Sequence, residues 1–497
     1  MNEDIRKIMN NIEDRMSKLA IFNRQSKEDI LLRSLFVCRD MINKIPNENS
    51  YANEVLAEID TTDKIAQLAY KYSVGNEKSV DISIENLYIK VHKYVEICNT
   101  YEMGREGNCK YTIDKKIIKV QYESDQINID GEIETQNIIQ NFKKSEMREK
   151  KLKDKLNSAN HDIFDDAKEI VDITCEVGFD DNLVIDGFTL GDFWKIEAFL
   201  LAICLSDYAL NKKYSVLEIG EKELINSILE KTGLKRNVVI AVVNFLTFNF
   251  DDKLSLMCTP LVKIGQSIYI GTFLIINANY ERNLMAILNV KKKSIIDNNQ
   301  QLKEKRLLDK IQSTVKKYSN LSFIRNKDLK DDRENKLTDV DFAIYDKNKA
   351  LIIEAKNFIQ PDSISEHLNY IGRKADKGIR KGYNQIKKQM HLLEMDREWY
   401  LQKVFGKTTI NEISFLLIVN GYIGNIRESQ IDIMNIAMFD QMMRECQGDL
   451  SLVFKYISHK KYINKLHYEI GEKEIKLFGY TFYLPVYLIR DDELTGI

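Results

Sequence analysis

The chain has little that would build a redox framework, a motor or a membrane anchor. Its seven cysteines, Cys38, Cys98, Cys109, Cys175, Cys204, Cys258 and Cys446, form no CxxC pair and no cluster with histidine. An odd, scattered set argues for reduced thiols in a cytosolic protein, and against a zinc site or disulfide scaffold. No GxxxxGK[ST] loop is present to cradle ATP phosphates. Serine–histidine catalysis has no GxSxG to support it, and the six histidines show no triad or metal spacing. The longest apolar runs, Ile196–Leu205 and Val238–Phe250, are interrupted or too short to span a bilayer. The opening MNEDIRKIMNNIEDRM carries too much charge for a signal peptide. Net charge is only −2 and the pI lies near 6.4, so any surface for nucleic acid must be local.

What is present is a long chain with enough apolar side chains for real cores. At 497 residues and 44% hydrophobic, it is expected to hold two to four domains. Residues 1–100 contain one proline, Pro46, and apolar residues at three-to-four spacing, which predicts helices. Residues 110–133 alternate as two or three strands of a small sheet. The charged stretch 143–160, KKSEMREKKLKDKLNSAN, reads as a linker or boundary. Residues 161–290 read as a second, mainly helical unit in which Trp194 packs in a core. Within it, Glu223–Glu230, the turn Lys231-Thr232-Gly233-Leu234 and Asn237–Leu246 predict a helix–turn–helix. Its second helix runs VVIAVVNFL, apolar enough to argue for packing over DNA readout. Tyr269–Ile276 reads as a strand. The division expected is 1–150, 151–295 and 296–497, an α+β multi-domain chain with mainly helical N-terminal and middle regions.

Residues 338–358, TDVDFAIYDKNKALIIEAKNF, read as a β-hairpin carrying charge where a strand should carry core. Two β-rich runs, Val340–Tyr345 and Ala350–Lys356, flank the turn residues Asp346, Lys347, Asn348 and Lys349. Alternation puts Val340, Phe342 and Ile344 on one face and Asp341, Ala343 and Tyr345 on the other. The register sets Asp341 opposite Glu354 and Asp339 opposite Lys356, with opposed Cβ atoms about 5 Å apart. Two carboxylates held that close repel, and burial raises the cost of their charge. A divalent cation removes both problems, and oxygen ligands favour Mg²⁺, with Mn²⁺ as substitute. Lys356 then sits where a phosphate gaining charge needs a positive neighbour. The set suits phosphodiester hydrolysis better than a surface hairpin with one cross-strand ion pair.

Here the sequence resembles the PD-(D/E)xK, or restriction-endonuclease-like, nucleases over roughly residues 300–420. The match is Asp341 on one strand and Glu354-Ala355-Lys356 on the next, without the proline before Asp341. The resemblance implies a C-terminal α/β domain with a central mixed sheet flanked by helices. It implies catalytic roles for Asp341, Glu354 and Lys356, joined by Glu304 on the upstream helix and Gln385 on the downstream one. Asp341, Glu354 and Glu304, with the Ala355 carbonyl, would hold the metal.

The helix after Glu-x-Lys has an apolar stripe, Ile379, Tyr383, Ile386, Met390 and Leu393. Beside it lie Arg373, Lys374, Lys377, Arg380, Lys381, Lys387 and Lys388, the strongest basic stretch in the chain and suited to phosphate contacts. The polar run 326–338 reads as a loop bordering substrate. The C-terminal residues 474–489 read as strand, with Pro485 at an edge or bulge. The expectation is a cytoplasmic Mg²⁺-dependent endonuclease acting on DNA, in anti-phage defence or restriction by family analogy. The N-terminal and middle regions would select substrate, oligomerise or bind a regulatory protein. The alternatives are RNA cleavage by the same fold, or a non-catalytic nucleic-acid-binding scaffold.

Overall fold

A computed structural model of the chain describes residues 3–45, 51–75, 83–105, 109–122, 162–174, 180–252, 254–331, 333–357, 378–406, 409–420, 431–459 and 468–489. The chain divides into two compact units. The first comprises Met1–Tyr122, Ile138–Asn298 and His467–Ile497, and the second Glu123–Asn137 and Asn299–Leu466. No described helix is long and apolar enough to cross a membrane. The charged linker expected at 143–160 lies outside the described residues.

The first unit begins with helices α1 (Glu3–Ser17), α2 (Ala20–Arg24), α3 (Lys27–Ile42), α4 (Tyr51–Tyr72) and α5 (Ile84–Arg105), followed by strands β1 (Cys109–Asp114) and β2 (Ile117–Tyr122). Helices α6 (Ile163–Thr174) and α7 (Leu190–Asn211), strand β3 (Val216–Gly220), helices α8 (Glu221–Thr232) and α9 (Arg236–Leu246), strands β4 (Leu261–Ile264) and β5 (Ser267–Gly271), and helices α10 (Thr272–Ile276) and α11 (Tyr280–Lys291) complete its middle. The apolar spacing of residues 1–100 becomes a buried face: Ile5, Met9, Ile12 and Met16 of α1 pack with Ile30, Leu31 and Leu35 of α3. Residues 269–276 are not one strand. After Gly271 the chain turns into α10, where the Thr272 amide donates to the Ser215 carbonyl and Phe273, Leu274 and Ile275 are buried. Trp194 is buried against Phe193, as its core spacing predicts.

The three-part division of the chain is corrected in two places. The N-terminal and middle regions share one core, in which Ile5 and Ile30 belong with Leu256, Val262, Phe273 and Leu274. The last hairpin, expected within 296–497, belongs to this core too. Strands β11 (Tyr468–Leu477) and β12 (Tyr480–Ile489) join the early strands in a sheet of order β1-β2-β12-β11, where Ile475, Leu477, Phe482 and Leu484 bury beside Ile118 and Val120. An apolar alternating hairpin must bury one face somewhere, and local sequence does not say against what. Pro485 lies beyond the short ladder Thr481–Tyr483 that β12 makes with β2, so its missing N–H disrupts no pairing there.

The chain passes into the second unit within helix α12 (Lys293–Val315). Strands β6 (Ser322–Lys330), β7 (Lys336–Tyr345) and β8 (Lys349–Lys356), helices α13 (Gly378–Met395) and α14 (Arg397–Phe405), strands β9 (Glu412–Val419) and β10 (Asp432–Asn435), and helices α15 (Ile436–Glu445) and α16 (Leu450–Ser458) follow. The sheet order is β10-β9-β8-β7-β6. The β6, β7 and β8 neighbours are antiparallel, while β9 and β10 run parallel to β8. The polar run 326–338 is mostly strand, in β6 and β7, in place of the expected loop. Its polarity reflects an edge position, since β6 leaves Lys327 and Asp328 exposed while Leu329 is buried. One face of the sheet packs Phe342, Ile344, Leu351, Ile353 and Ala355 on Leu307, Leu308 and Ile311 of α12 and on α15 and α16. The other packs Ala343, Ala350 and Ile352 on α14, and Leu417 and Val419 on α13. Strand β8 is covered on both sides, which is why ALII reads as an unbroken apolar run.

One buried carboxyl in the first unit has no evident support. Glu197 lies within α7, is 4% exposed, and its Oε2 finds no hydrogen-bond partner among the described residues. Burial pushes its carboxyl up to about 8. The folded state therefore binds a proton that the unfolded chain has released above the ordinary glutamate range, so stability falls as pH rises from about 4.5 towards 8. Glu197→Gln should unfold with the parent near pH 5 and be more stable than it by on the order of a few kcal/mol at pH 9, measured by urea titration at the two pH values.

Candidate metal site on strands β7 and β8

The hairpin that carries the site is fixed by its turn. Asp346 accepts hydrogen bonds through Oδ1 from the amides of Asn348 and Lys349, 2.7 Å each, and its own amide donates to the Lys349 carbonyl at 3.0 Å. From there the ladder runs Tyr345–Ala350, Ile344–Leu351, Ala343–Ile352 and Phe342–Ile353, and then stops. The next step in that register is Asp341 opposite Glu354, as the sequence predicts, and there side-chain chemistry replaces the ladder. The Ala355 amide donates to Asp341 Oδ2 at 2.9 Å.

Strand β7 departs from strict alternation at this point. Val340 packs with Ala343 and Ile352 beside α14, not with Phe342 and Ile344 as alternation requires. The neighbouring strand shows an irregularity at the same level. Arg325 pairs with Phe342 and Lys327 with Val340, but Asn326 takes φ of +51° between them, opposite Asp341. Asparagine is among the residues that tolerate this left-handed conformation, and a local break of this kind re-aims a strand and its side chains.

Glu354 is fully buried, at 0% exposure. Its Oε1 lies 2.5 Å from Lys356 Nζ, and Asp341 Oδ2 lies 3.8 Å from the same nitrogen. The Ala355 carbonyl oxygen is 3.3 Å away. One ammonium thus sits among two carboxylates and a main-chain carbonyl. Burial, and then the Asp341 carboxylate, push the Glu354 carboxyl well above its ordinary range, while Lys356 opposes them. A divalent cation would satisfy the oxygens that Lys356 Nζ now approaches. Two carboxylates and a carbonyl, with water in the remaining positions, match what Mg²⁺ accepts, so the donors fit. Among the described residues no third aspartate, glutamate, histidine or cysteine joins them in a metal-binding group.

The other residues singled out from sequence fall differently. Gln385 on α13 reaches the neighbourhood: its Nε2 is 3.4 Å from Asp339 Oδ1, and its Oε1 is buried without a partner among the described residues. Glu304 lies on α12, whose leucines pack on the face of the sheet away from α13; its side chain is outside the described residues. Arg380, Lys381, Lys387 and Lys388 are exposed on α13, whereas Arg373, Lys374 and Lys377 lie outside the described residues. A residue not singled out from sequence is Gln389. Fully buried, it donates through Nε2 to the Asp339 carbonyl at 2.7 Å, approaches Glu354 Oε2 at 3.5 Å, and lies 3.4 Å from the Tyr400 hydroxyl. Its position one helical turn after Gln385 was the available signal. Gly382 lets α13 settle on the site, because a Cβ there would meet Leu417 Cδ1 at 2.8 Å and Lys356 Cγ at 3.2 Å.

Asp341→Asn removes the like charge but keeps an acceptor for the Ala355 amide. It should therefore raise the chelator-treated protein's melting temperature at pH 8, with about 1.4 kcal/mol gained per unit by which Glu354 is relieved. Calorimetry of both proteins in EDTA checks this, and an unchanged or lower midpoint contradicts the buried repulsion. No family model, no curated protein and no solved structure matches this chain.

Proposed function

We propose that this protein is a metal-dependent nuclease that hydrolyses DNA phosphodiester bonds, built on the PD-(D/E)xK plan. The observation that carries the reading is the oxygen set around Lys356 Nζ: Glu354 Oε1, the Ala355 carbonyl and Asp341 Oδ2 within 4 Å of one point. The order of elements in the second unit supports it. Helix α12, three antiparallel strands, the crossing helix α13 and the parallel strand β9 form the mixed sheet with helices on both faces that the resemblance implies.

Each residue has a task in this reading. Asp341 and Glu354, with the Ala355 carbonyl, would hold Mg²⁺ or Mn²⁺, which supplies Lewis-acid activation of water and charge neutralisation at the scissile phosphate. Lys356, freed from pairing the carboxylates, keeps a positive charge where phosphate oxygens gain negative charge. Gln389 fixes the orientation of Glu354 from α13, and Gln385 offers an acceptor and an amide beside Asp339. The exposed Arg380, Lys381, Lys387 and Lys388 contact the sugar–phosphate backbone without choosing sequence. Glu354 starts with its proton held tightly, so loading a cation releases a proton and is favoured as pH rises.

A plasmid-cleavage assay with Mg²⁺, Mn²⁺ and EDTA tests the proposal. The parent should nick or linearise duplex DNA with either metal and not in EDTA. Lys356→Ala and Glu354→Gln should each lose on the order of 10²–10³ in rate, the scale of one preorganised electrostatic group. Equal rates for Lys356→Ala and the parent would remove the site from the reaction. Degradation of labelled RNA in preference to DNA would move the substrate assignment to RNA.

A further inference from the structure

The helix–turn–helix of the first unit gains a meaning that its sequence hid. Helix α7 precedes β3; then come α8 and α9, and the β4–β5 hairpin returns so that β5 pairs with β3, in sheet order β3-β5-β4. A helical pair is thus backed by a long helix and braced on one side by a three-stranded sheet. The turn between α8 and α9 is closed by Gly233 at φ +66°, whose amide donates to the Leu229 carbonyl at 3.0 Å.

The apolar run VVIAVVNFL is the inner face of α9. Val239, Val242, Val243, Phe245 and Leu246 are buried. The outer face is a different surface, in which Arg236, Asn237, Ile240 and Asn244 are exposed at helical spacing, with Lys235 just before them. The helix contains no acidic residue, and its exposed end begins with two cations. Lysine and arginine at the first turn oppose the helix dipole and cost stability, an arrangement that an anionic partner relieves. Arg236 holds a hydrogen bond to the exposed Asn226 of α8 at 3.0 Å, which places its guanidinium on the same outer surface.

We infer that the outer face of α9 is a duplex-DNA-reading surface, with α9 entering the major groove. The major groove admits one α-helix, and the side chains offered match its chemistry. Arginine suits guanine O6 and N7, asparagine suits adenine N6 and N7, and the exposed Ile240 offers apolar contact for a thymine methyl. Lys235 supplies a phosphate contact. This inference stands apart from the nuclease reading, because binding by the first unit needs neither a metal nor the second unit's carboxylates.

The test is fluorescence anisotropy of the full chain in EDTA, with mixed-sequence duplex DNA, single-stranded DNA and duplex RNA as probes. Duplex DNA should bind tightest. Arg236→Glu should weaken duplex binding by about tenfold or more, and Asn237→Ala by several-fold, with the parent's unfolding midpoint retained in both. Lys235→Ala should flatten the dependence of log K on log salt by about one unit. Duplex affinity within about threefold of the parent for both Arg236→Glu and Asn237→Ala overturns the inference. So does a loss of self-association on Arg236→Glu with duplex affinity unchanged, which would make this face a protein interface.

Discussion

Two carboxyl groups, one fully buried and one partly exposed, share a corner of the second unit, and much of its local structure serves to hold them there. Glu354 is fully buried, and Asp341 faces the same ammonium. In water such a pair costs little, but at the end of a central strand each charge raises the cost of the other. The surroundings reduce that cost locally. Lys356 places a cation between them, the Ala355 amide serves Asp341, and Gln389 approaches Glu354 from above. None of these makes the corner comfortable, since Glu354 still holds its proton far too firmly for an ordinary glutamate. A sheet optimised for stability alone would have placed leucine there. The strain is tolerable because β8 is clamped on both faces by apolar side chains that dominate the folding energy.

The sequence spoke clearly where a residue's surroundings are its own neighbours in the chain. The turn at Asp346 and the register that sets Asp341 against Glu354 need only alternation and a turn-forming aspartate, and both could be read directly. So could the apolar face of α13, whose Ile379, Tyr383 and Ile386 bury as their spacing demands. Reading failed where a partner is distant or a conformation is unusual. The left-handed Asn326 beside Asp341 leaves no pattern in composition, yet it lies where β7 turns Val340 away from its expected face. Gln389 looked like one more polar helix residue, because only the fold brings Tyr400 and Glu354 around it.

Helix α9 shows the same limit from the other side. Counting apolar letters described its buried face and concealed the exposed one, since the apolar residues at core spacing outnumber the few polar ones left on the outer face. What distinguishes a packing helix from a reading helix is the narrow remainder, here Arg236, Asn237, Ile240 and Asn244. Both of the molecule's candidate contacts with nucleic acid are therefore small local departures in a protein whose overall charge is close to neutral. The near-neutral total matters little to either patch, because salt screens exposed charges lying more than about 8 Å away at physiological ionic strength.

The sheet β1-β2-β12-β11 sets an order of assembly. Ile118 and Val120 are made early, but Phe482 and Leu484, which complete their cover, are made only after the whole of the second unit's sheet. The helical first unit thus waits with an open apolar seam while its neighbour already has all it needs to fold, and chaperone demand during synthesis should concentrate on that seam.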